Sequence, residues 1–223
     1  SPTPTTSSAA SDVYKRQNKN GLLTSQCQQD KLSLVLAQQH KAGFVMIPVS
    51  LYGVDVDRCE EFYAKLPGLV ADSIDDEEYS NALFAIQDKA SMEHVRVAEN
   101  WSKRQPFAFP EEVANEIEMI IRTVSYPDVA LLEHLLTIDG INTERISEWM
   151  HFSTNLYPIY SKKACDALNE MGLETPFKLD DMASYGLYVS RIEGLKMYAP
   201  AKGLPEIGLP RSRMLQLGLE RFE

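Results

Sequence analysis

Cysteine is scarce in this 223-residue chain, and long apolar runs are missing. The three cysteines, Cys27, Cys59 and Cys165, lie far apart and form no Cys-x-x-Cys pair, which is typical of reduced thiols in a cytoplasmic protein. The longest apolar run, Phe44–Tyr52, is much shorter than the roughly 18 residues that a membrane-spanning helix needs. We therefore expect a cytoplasmic protein without a membrane-spanning helix.

Short catalytic motifs are also missing. The sequence contains no Gly-rich phosphate loop that ends in Gly-Lys-Ser or Gly-Lys-Thr, no Gly-x-Gly-x-x-Gly, no His-Glu-x-x-His and no Gly-x-Ser-x-Gly. This absence favours a protein that is not an enzyme, and it predicts no cofactor. An enzyme stays an alternative, because catalytic groups can be assembled from residues that are distant in sequence.

Metal-binding residues are few and widely spaced. Glu133 and His134 on one predicted helix, with Glu148 and His151 on the next, could converge on a metal ion. A histidine beside a glutamate is common on helices, so we predict no metal site there. We interpret Asp180–Asp181 as a solvated turn. The histidines lie on separate predicted helices, at His40, His94, His134 and His151.

One segment near the N-terminus resembles a translated sequencing adapter. Ser7–Gln17 (SSAASDVYKRQ) is identical to the in-frame translation of a transposase adapter that is used in DNA sequencing. We interpret residues 1–17 as a sequencing artefact and expect Asn18 to be the first native residue in the chain. The gene then comes from shotgun DNA, which indicates a microbial or phage source, and we expect the native N-terminus to be missing.

Negative charge dominates the remaining sequence. The whole chain has a net charge of −10, and without Lys15, Arg16 and Asp12 it carries 20 basic and 31 acidic residues. This balance opposes general binding to nucleic acid, whose phosphates are neutralised by Lys and Arg. It favours solubility and a basic partner. A hydrophobic share of 44% is ordinary for a globular protein and too high for a disordered one.

Hydrophobic spacing predicts mostly helices. We predict helices at Gln29–Ala42, Val54–Leu66, about 77–103, Pro110–Val124, between Ser125 and Gly140, Ser161–Met171 and Arg211–Phe222. Runs rich in β-forming residues predict strands at Phe44–Tyr52 and Phe177–Leu179, and a hairpin of Tyr185–Ile192 with Leu195–Tyr198 around Glu193-Gly194.

These elements predict an α+β fold in which helices dominate. We place a division near Phe152, with a mainly helical region at 18–152 and a smaller strand-containing α+β region at 153–223. The second region is either separate or part of one domain with the first.

One segment resembles the helix-turn-helix of DNA-binding proteins. In Leu135–Trp149 (LLTIDGINTERISEW), Gly140 stands in the turn, and the second helix follows it. The resemblance implies DNA contacts by Thr143, Arg145 and Ser147. Glu144 and Glu148 on the same helix would repel phosphates, so an ordinary helical hairpin remains the other interpretation, and nucleic acid is not the partner we expect.

A second segment resembles an immunity family. Trp149–Tyr198 contains an aromatic-rich lead (WMHF), an extended YPIYS, a Ser-capped helix (SKKACDALNEMGLE), an apolar PFKL and two Tyr-containing segments (YGLYVSRI, LKMYA). This order is similar to the C-terminal motif of bacterial immunity proteins that neutralise polymorphic toxins. The resemblance implies strands after the helix, and a toxin as binding partner.

A protein-binding function is the leading hypothesis from the sequence. We expect a non-enzymatic, immunity-like or inhibitor-like protein that binds a basic protein partner through acidic side chains. Asp55–Glu61 is a second acidic segment. The alternatives are a helix-turn-helix DNA-binding regulator and an enzyme with an unfamiliar site. The candidate partner contacts are Asp72, Asp75, Asp76, Glu77 and Glu78.

Overall fold

α-Helices form the framework of the protein. A computed structural model describes residues 46–73, 76–84, 91–200 and 204–223, and all of these except Met46 belong to one unit, Ile47–Glu223. Shorter 3-10 helices cover Val49–Leu51, Ala71–Ser73 and Ala130–Thr137. The α-helices of the described residues are α1 (Val56–Val70), α2 (Glu77–Phe84), α3 (Met92–Trp101), α4 (Glu111–Thr123), α5 (Thr143–Thr154), α6 (Lys162–Glu170), α7 (Met182–Tyr198) and α8 (Arg211–Glu220).

Local capping and hydrophobic spacing explain where several helices lie. At the start of α1, the Asp55 carboxylate accepts a hydrogen bond from Arg58 N at 3.1 Å. The α4 helix follows Pro110 and buries Ile117 and Ile121 on one face. The sequence predictions of α1, α4, α6 and α8 are confirmed.

Two predicted helices differ in detail. The segment predicted as one helix over 77–103 contains α2 and α3, and residues 85–90 between them lie outside the described residues. At the start of α3, Ser91 N donates to His94 Nδ1 at 3.2 Å. The segment between Ser125 and Gly140 forms the 3-10 helix Ala130–Thr137.

Some sequence predictions fall outside the described residues. These are the adapter-like segment Ser7–Gln17, the helix Gln29–Ala42, and the side chains of Cys27 and His40. The other two cysteines, Cys59 and Cys165, are buried and free, and burial raises the pKa of each thiol to about 12. Both therefore remain protonated and unreactive near neutral pH.

Two helices lie at the centre of the unit. Every residue of α5 from Ile146 to Ser153 is buried, and so is every residue of α8 from Ser212 to Leu219. The α8 helix packs against α1, α6 and α7, while α5 packs against α3. The regions on either side of Phe152 therefore share one core within Ile47–Glu223.

The predicted C-terminal strands are wrong. The segments expected to form a hairpin, Tyr185–Ile192 and Leu195–Tyr198, are parts of the single helix α7. Gly194 lies within this helix, where a Cβ atom would overlap Ser50 Oγ and the Leu51 side chain. The glycine is thus required by close packing and not by a turn.

The other predicted strands are absent as well. Phe177–Leu179 is irregular, and the Phe177 ring packs on Tyr160 with ring centroids 4.6 Å apart. Within Phe44–Tyr52, the first two residues lie outside the described residues, and Val49–Leu51 forms a 3-10 turn after Pro48. Since the described residues contain no strand, they form an all-α fold and not the expected α+β fold.

Tyrosine hydroxyl groups join the segment before α6 to its surroundings. Tyr185 Oη donates to Pro158 O at 2.9 Å, and Tyr188 Oη donates to Ile159 O at 3.2 Å. Tyr160 Oη donates to Pro176 O at 2.7 Å. Extended backbone that lacks a strand partner therefore obtains its hydrogen bonds from buried side chains.

None of the helices in the described ranges has the length and apolar character needed to cross a lipid bilayer.

Candidate functional site

Four carboxylates of the predicted partner-binding cluster are exposed. Asp72 follows α1, and Asp76, Glu77 and Glu78 lie at the start of α2. We call these four residues the acidic cluster. Asp75, the fifth predicted member, lies outside the described residues.

Two members of the acidic cluster have hydrogen-bond or ion-pair partners within the protein. Asp76 Oδ1 accepts a hydrogen bond from Tyr79 N at 2.9 Å, as helix-capping carboxylates do. Glu78 Oε2 pairs with Lys103 Nζ at 2.7 Å. Among the described residues, no cation lies within ion-pairing distance of Asp72, Asp76 or Glu77. Asp72 and Glu77 are therefore exposed without a described cation, while Asp76 is attracted by Lys103 and Arg213 without a direct ion pair.

An open groove adjoins the acidic cluster. It has a volume of about 400 Å³ between α2 and α3, and Glu78 lies on its wall. Ala82, Val97 and the half-buried Trp101 supply an apolar part, and Lys103 lies on the same wall as the ion-pair partner of Glu78. Negative charge and apolar surface are thus next to each other.

In the second acidic segment, Asp55–Glu61, two carboxylates have hydrogen-bond or ion-pair partners within the protein. Asp55 caps α1, and Glu61 pairs with both Arg58 and Lys65 at 2.8 Å. Its contribution to a partner surface is limited to the exposed Asp57 and Glu60.

The three residues predicted to contact DNA instead form hydrogen bonds within the protein. Thr143 and Ser147 are fully buried, and their hydroxyl groups donate to Leu179 O at 2.9 Å and to Glu144 O at 2.6 Å. Arg145 donates to Gln105 O at 3.1 Å. This placement leaves none of the three side chains free to contact a base.

Arg145 also belongs to a buried polar network that the sequence analysis missed. Glu99 is 3% exposed and accepts hydrogen bonds from Trp149 Nε1 at 2.8 Å and Phe107 N at 2.9 Å. Arg145 Nε lies 3.3 Å from the same carboxylate. The available signal is the position of Glu99 on the apolar face of α3, four residues after Val95.

The histidines that could have formed a metal site lie apart in the structure. His134 is exposed and pairs with Glu116 at 2.6 Å. His151 is fully buried, with Nε2 2.7 Å from Tyr79 Oη and Nδ1 2.7 Å from Tyr157 O. Burial lowers the pKa of His151 to about 3, so the ring is neutral. Since Tyr157 O can only accept, Nδ1 donates to it and Nε2 accepts from Tyr79.

No group of three or more metal-ligating side chains occurs among the described residues. Asp180 is exposed at a turn before α7. Asp181 caps that helix by accepting from Ala183 N at 3.0 Å and Ser184 Oγ at 2.6 Å, and these hydrogen bonds lower the pKa of its carboxyl.

A larger polar cleft lies beside α5, α6 and α8. Its volume is about 490 Å³. Charged, polar and aromatic side chains from several elements line it. We define this polar cleft by Trp101, Glu148, Ser161, Lys163, Phe177 and Arg213.

Arg213 is the most unusual group of the polar cleft. It is 6% exposed, and its guanidinium carbon lies 5.0 Å from the ring centre of Tyr79 and 5.3 Å from that of Trp101. Nη1 donates to Gln216 Oε1 at 2.6 Å, whereas Nε is buried without a hydrogen-bond partner. No carboxylate of the described residues pairs with this cation.

Two carboxylates of the cleft lie beside a positive charge. Arg104 contacts both Glu144, at 3.0 Å, and Glu148. Burial raises the pKa of Glu148 to about 8, against the attraction of Arg104 and with further repulsion from Glu144 and Glu99. Arg104 therefore lies between two carboxylates, of which the buried Glu148 is the more easily protonated.

No protein-family model, no curated protein and no solved structure matches this chain. The described residues define an all-α protein with an exposed acidic cluster and a polar cleft.

Proposed function

We propose that the protein works by binding a basic segment of another protein at the acidic cluster and the neighbouring α2–α3 groove. One observation carries this proposal: the exposed carboxylates Asp72, Asp76 and Glu77 form no ion pair with a described cation and lie within six residues of Glu78, which lines a partly apolar groove.

Charge and shape complement each other at this surface. Lys and Arg side chains of a partner would meet the acidic cluster, while apolar side chains would cover Ala82, Val97 and Trp101. Complementary charge accelerates encounter and selects the partner, and burial of apolar surface retains it. An immunity-like or inhibitor-like role is one form of this function, although the strands that the resemblance of Trp149–Tyr198 implies are replaced by helix α7.

Binding of defined peptides tests the proposal. The probe is a fluorescent amphipathic peptide of Leu and Lys, with a matched peptide in which Glu replaces Lys. We expect the Lys peptide alone to bind, and its affinity to fall as salt rises from about 50 to 200 mM, because exposed charges are screened. Equal binding of the two peptides in fluorescence anisotropy would contradict the proposal.

Matched variants localise the surface. Asp72→Asn, Asp76→Asn, Glu77→Gln and Glu78→Gln together should weaken binding at least about tenfold, and Asn preserves the cap of α2. The control neutralises four exposed carboxylates elsewhere and changes the net charge equally. An equal loss in this control would show general charge attraction and refute the site. The control variant combines Glu111→Gln, Glu112→Gln, Glu133→Gln and Asp139→Asn.

A further inference from the structure

The polar cleft holds a buried positive charge that forms no direct ion pair with a described residue. Arg213 carries this charge, and its Nε atom lacks a hydrogen-bond partner. Burial lowers its pKa and disfavours the charged form, against a weaker stabilisation of the charge by Tyr79, Glu220 and Asp76. Burial of an unpaired cation is costly, and an anionic ligand would remove that cost.

Further donors line the same cleft at the start of α6. Ser161 precedes this helix without capping it through its side chain, so the first N–H groups of α6 remain available. The helix dipole places partial positive charge there. Lys163 is exposed on the cleft wall and pairs with no described carboxylate, whereas Lys162 pairs with Asp166 at 2.7 Å.

The acidic groups of the cleft do not occupy these donors. Glu144 and Glu148 both pair with Arg104. Glu220 accepts from Gln216 Nε2 at 2.7 Å, and it attracts Arg213 without forming an ion pair. An anion at Arg213 would therefore compete with the longer-range attraction of Glu220 and not with a direct ion pair.

The wall beside these donors is apolar. Ile159, Phe177 and Leu179 line the cleft, and Leu179 is 41% exposed. A volume of about 490 Å³ is in the range of sites for small organic molecules.

We propose that the polar cleft binds a small organic oxyanion, a carboxylate or a phosphate ester attached to a ring or a short apolar group. Arg213, Ser161 and the start of α6 hold the anionic group, and Phe177 and Leu179 contact the apolar group. This ligand site has its own anion-binding donors, although Trp101 lines both the cleft and the α2–α3 groove, and it does not depend on the proposed protein partner.

Titration calorimetry with the full chain tests the ligand class. The probes are phenyl phosphate and benzoate, and benzylammonium is the cationic control with the same ring. We expect at least one of the two anions to bind with a Kd below about 1 mM, and the cation not to bind. Preference for one anion identifies the ligand as a phosphate ester or a carboxylate. Absence of binding by both anions, or equal binding of benzylammonium, overturns the proposal.

Variants of the cleft test its location. Arg213→Met keeps most of the side-chain volume without the charge and should weaken anion binding at least about tenfold, since charge-assisted hydrogen bonds are lost. Arg211→Met, at an exposed position of the same helix, should bind like the unmodified protein. If circular dichroism shows that Arg213→Met is unfolded, the double variant Ser161→Ala, Lys163→Gln replaces it, with an expected loss of at least about threefold. Unchanged affinity in the folded variant overturns the assignment.

Discussion

At the scale of single residues, buried polar groups distinguish this protein from an ordinary apolar helical core. Glu99 joins α3 to α5 through Trp149 and Arg145, and His151 joins Tyr79 to Tyr157. Buried polar groups of this kind stabilise a structure only while each partner is present.

Replacement of Glu99 should therefore be severely destabilising. Glu99→Ala leaves Arg145 without its counter-charge and Trp149 Nε1 without its acceptor, so we expect a loss of about 3–5 kcal/mol in the free energy of unfolding. Urea denaturation measures this loss. Glu133→Ala, at an exposed position, should change stability by less than about 0.5 kcal/mol. A loss below about 1 kcal/mol for Glu99→Ala would contradict the described network.

His151 should make stability depend on pH. Burial lowers its pKa to about 3 in the folded protein, against an ordinary value of 6.5, so only the unfolded chain binds the proton between these values. Its contribution to stability is complete above pH 6.5 and is lost as the pH falls, by about 1.4 kcal/mol per pH unit. Urea denaturation from pH 4 to 8 measures the slope.

Comparison of two variants isolates the effect of His151. His151→Gln should reduce the loss of stability below pH 6.5, while His134→Gln, at an exposed histidine, should retain it. The same slope in His151→Gln and in the unmodified protein would show that other groups cause the pH dependence.

At the scale of elements, the spacing of apolar residues predicts α-helices well. The wrong strand predictions depend on residue type and not on this spacing. Ile117 and Ile121 follow the helical period in α4, and that helix is confirmed. Tyr185, Tyr188 and Ile192 also follow it in α7 and are buried. The β-forming residues and Glu193-Gly194 instead predict a hairpin. That prediction is wrong because intrinsic preferences are weak and packing overrides them.

Gly194 provides a test of the α7 packing. Gly194→Ala should destabilise the protein by about 1–3 kcal/mol, because the added methyl group overlaps Ser50 and Leu51 and outweighs the helix preference of alanine. Thermal denaturation measures the change. Gly68→Ala in α1, where nothing lies within 4 Å of the added atom, should be neutral or stabilising. A stabilised Gly194→Ala variant would contradict the close contact.

At the scale of the whole molecule, the C-terminal helix connects parts of the chain that are distant in sequence. The α8 helix packs on α1, α6 and α7, and all its residues from Ser212 to Leu219 are buried. This arrangement is why the expected regions on either side of Phe152 share a core.

Removal of α8 should therefore abolish cooperative folding. A chain that ends at Leu209 loses the helix that covers α1, α6 and α7, and we expect it to melt without a cooperative transition in circular dichroism. A chain that lacks only the exposed Glu223 should melt like the full protein. A cooperative transition in the chain ending at Leu209 would show that the remaining helices form a core without α8.

Composition and local spacing are enough to predict the acidic charge, the absence of common catalytic motifs and the positions of helices such as α1, α4, α6 and α8. These properties depend on composition or on hydrogen bonds and spacings within a few residues. The acidic cluster was also predicted, since exposed charges follow from local sequence.

The burial of particular polar side chains depends on contacts between distant parts of the chain. Trp149 and Glu99 are 50 residues apart in the chain, and Arg213 reaches the rings of Tyr79 and Trp101 from the last helix. Burial of Thr143 and Ser147 against Leu179 and Tyr160 likewise depends on contacts between distant segments. Such contacts are set by the packing of several helices at once, which local preference cannot specify.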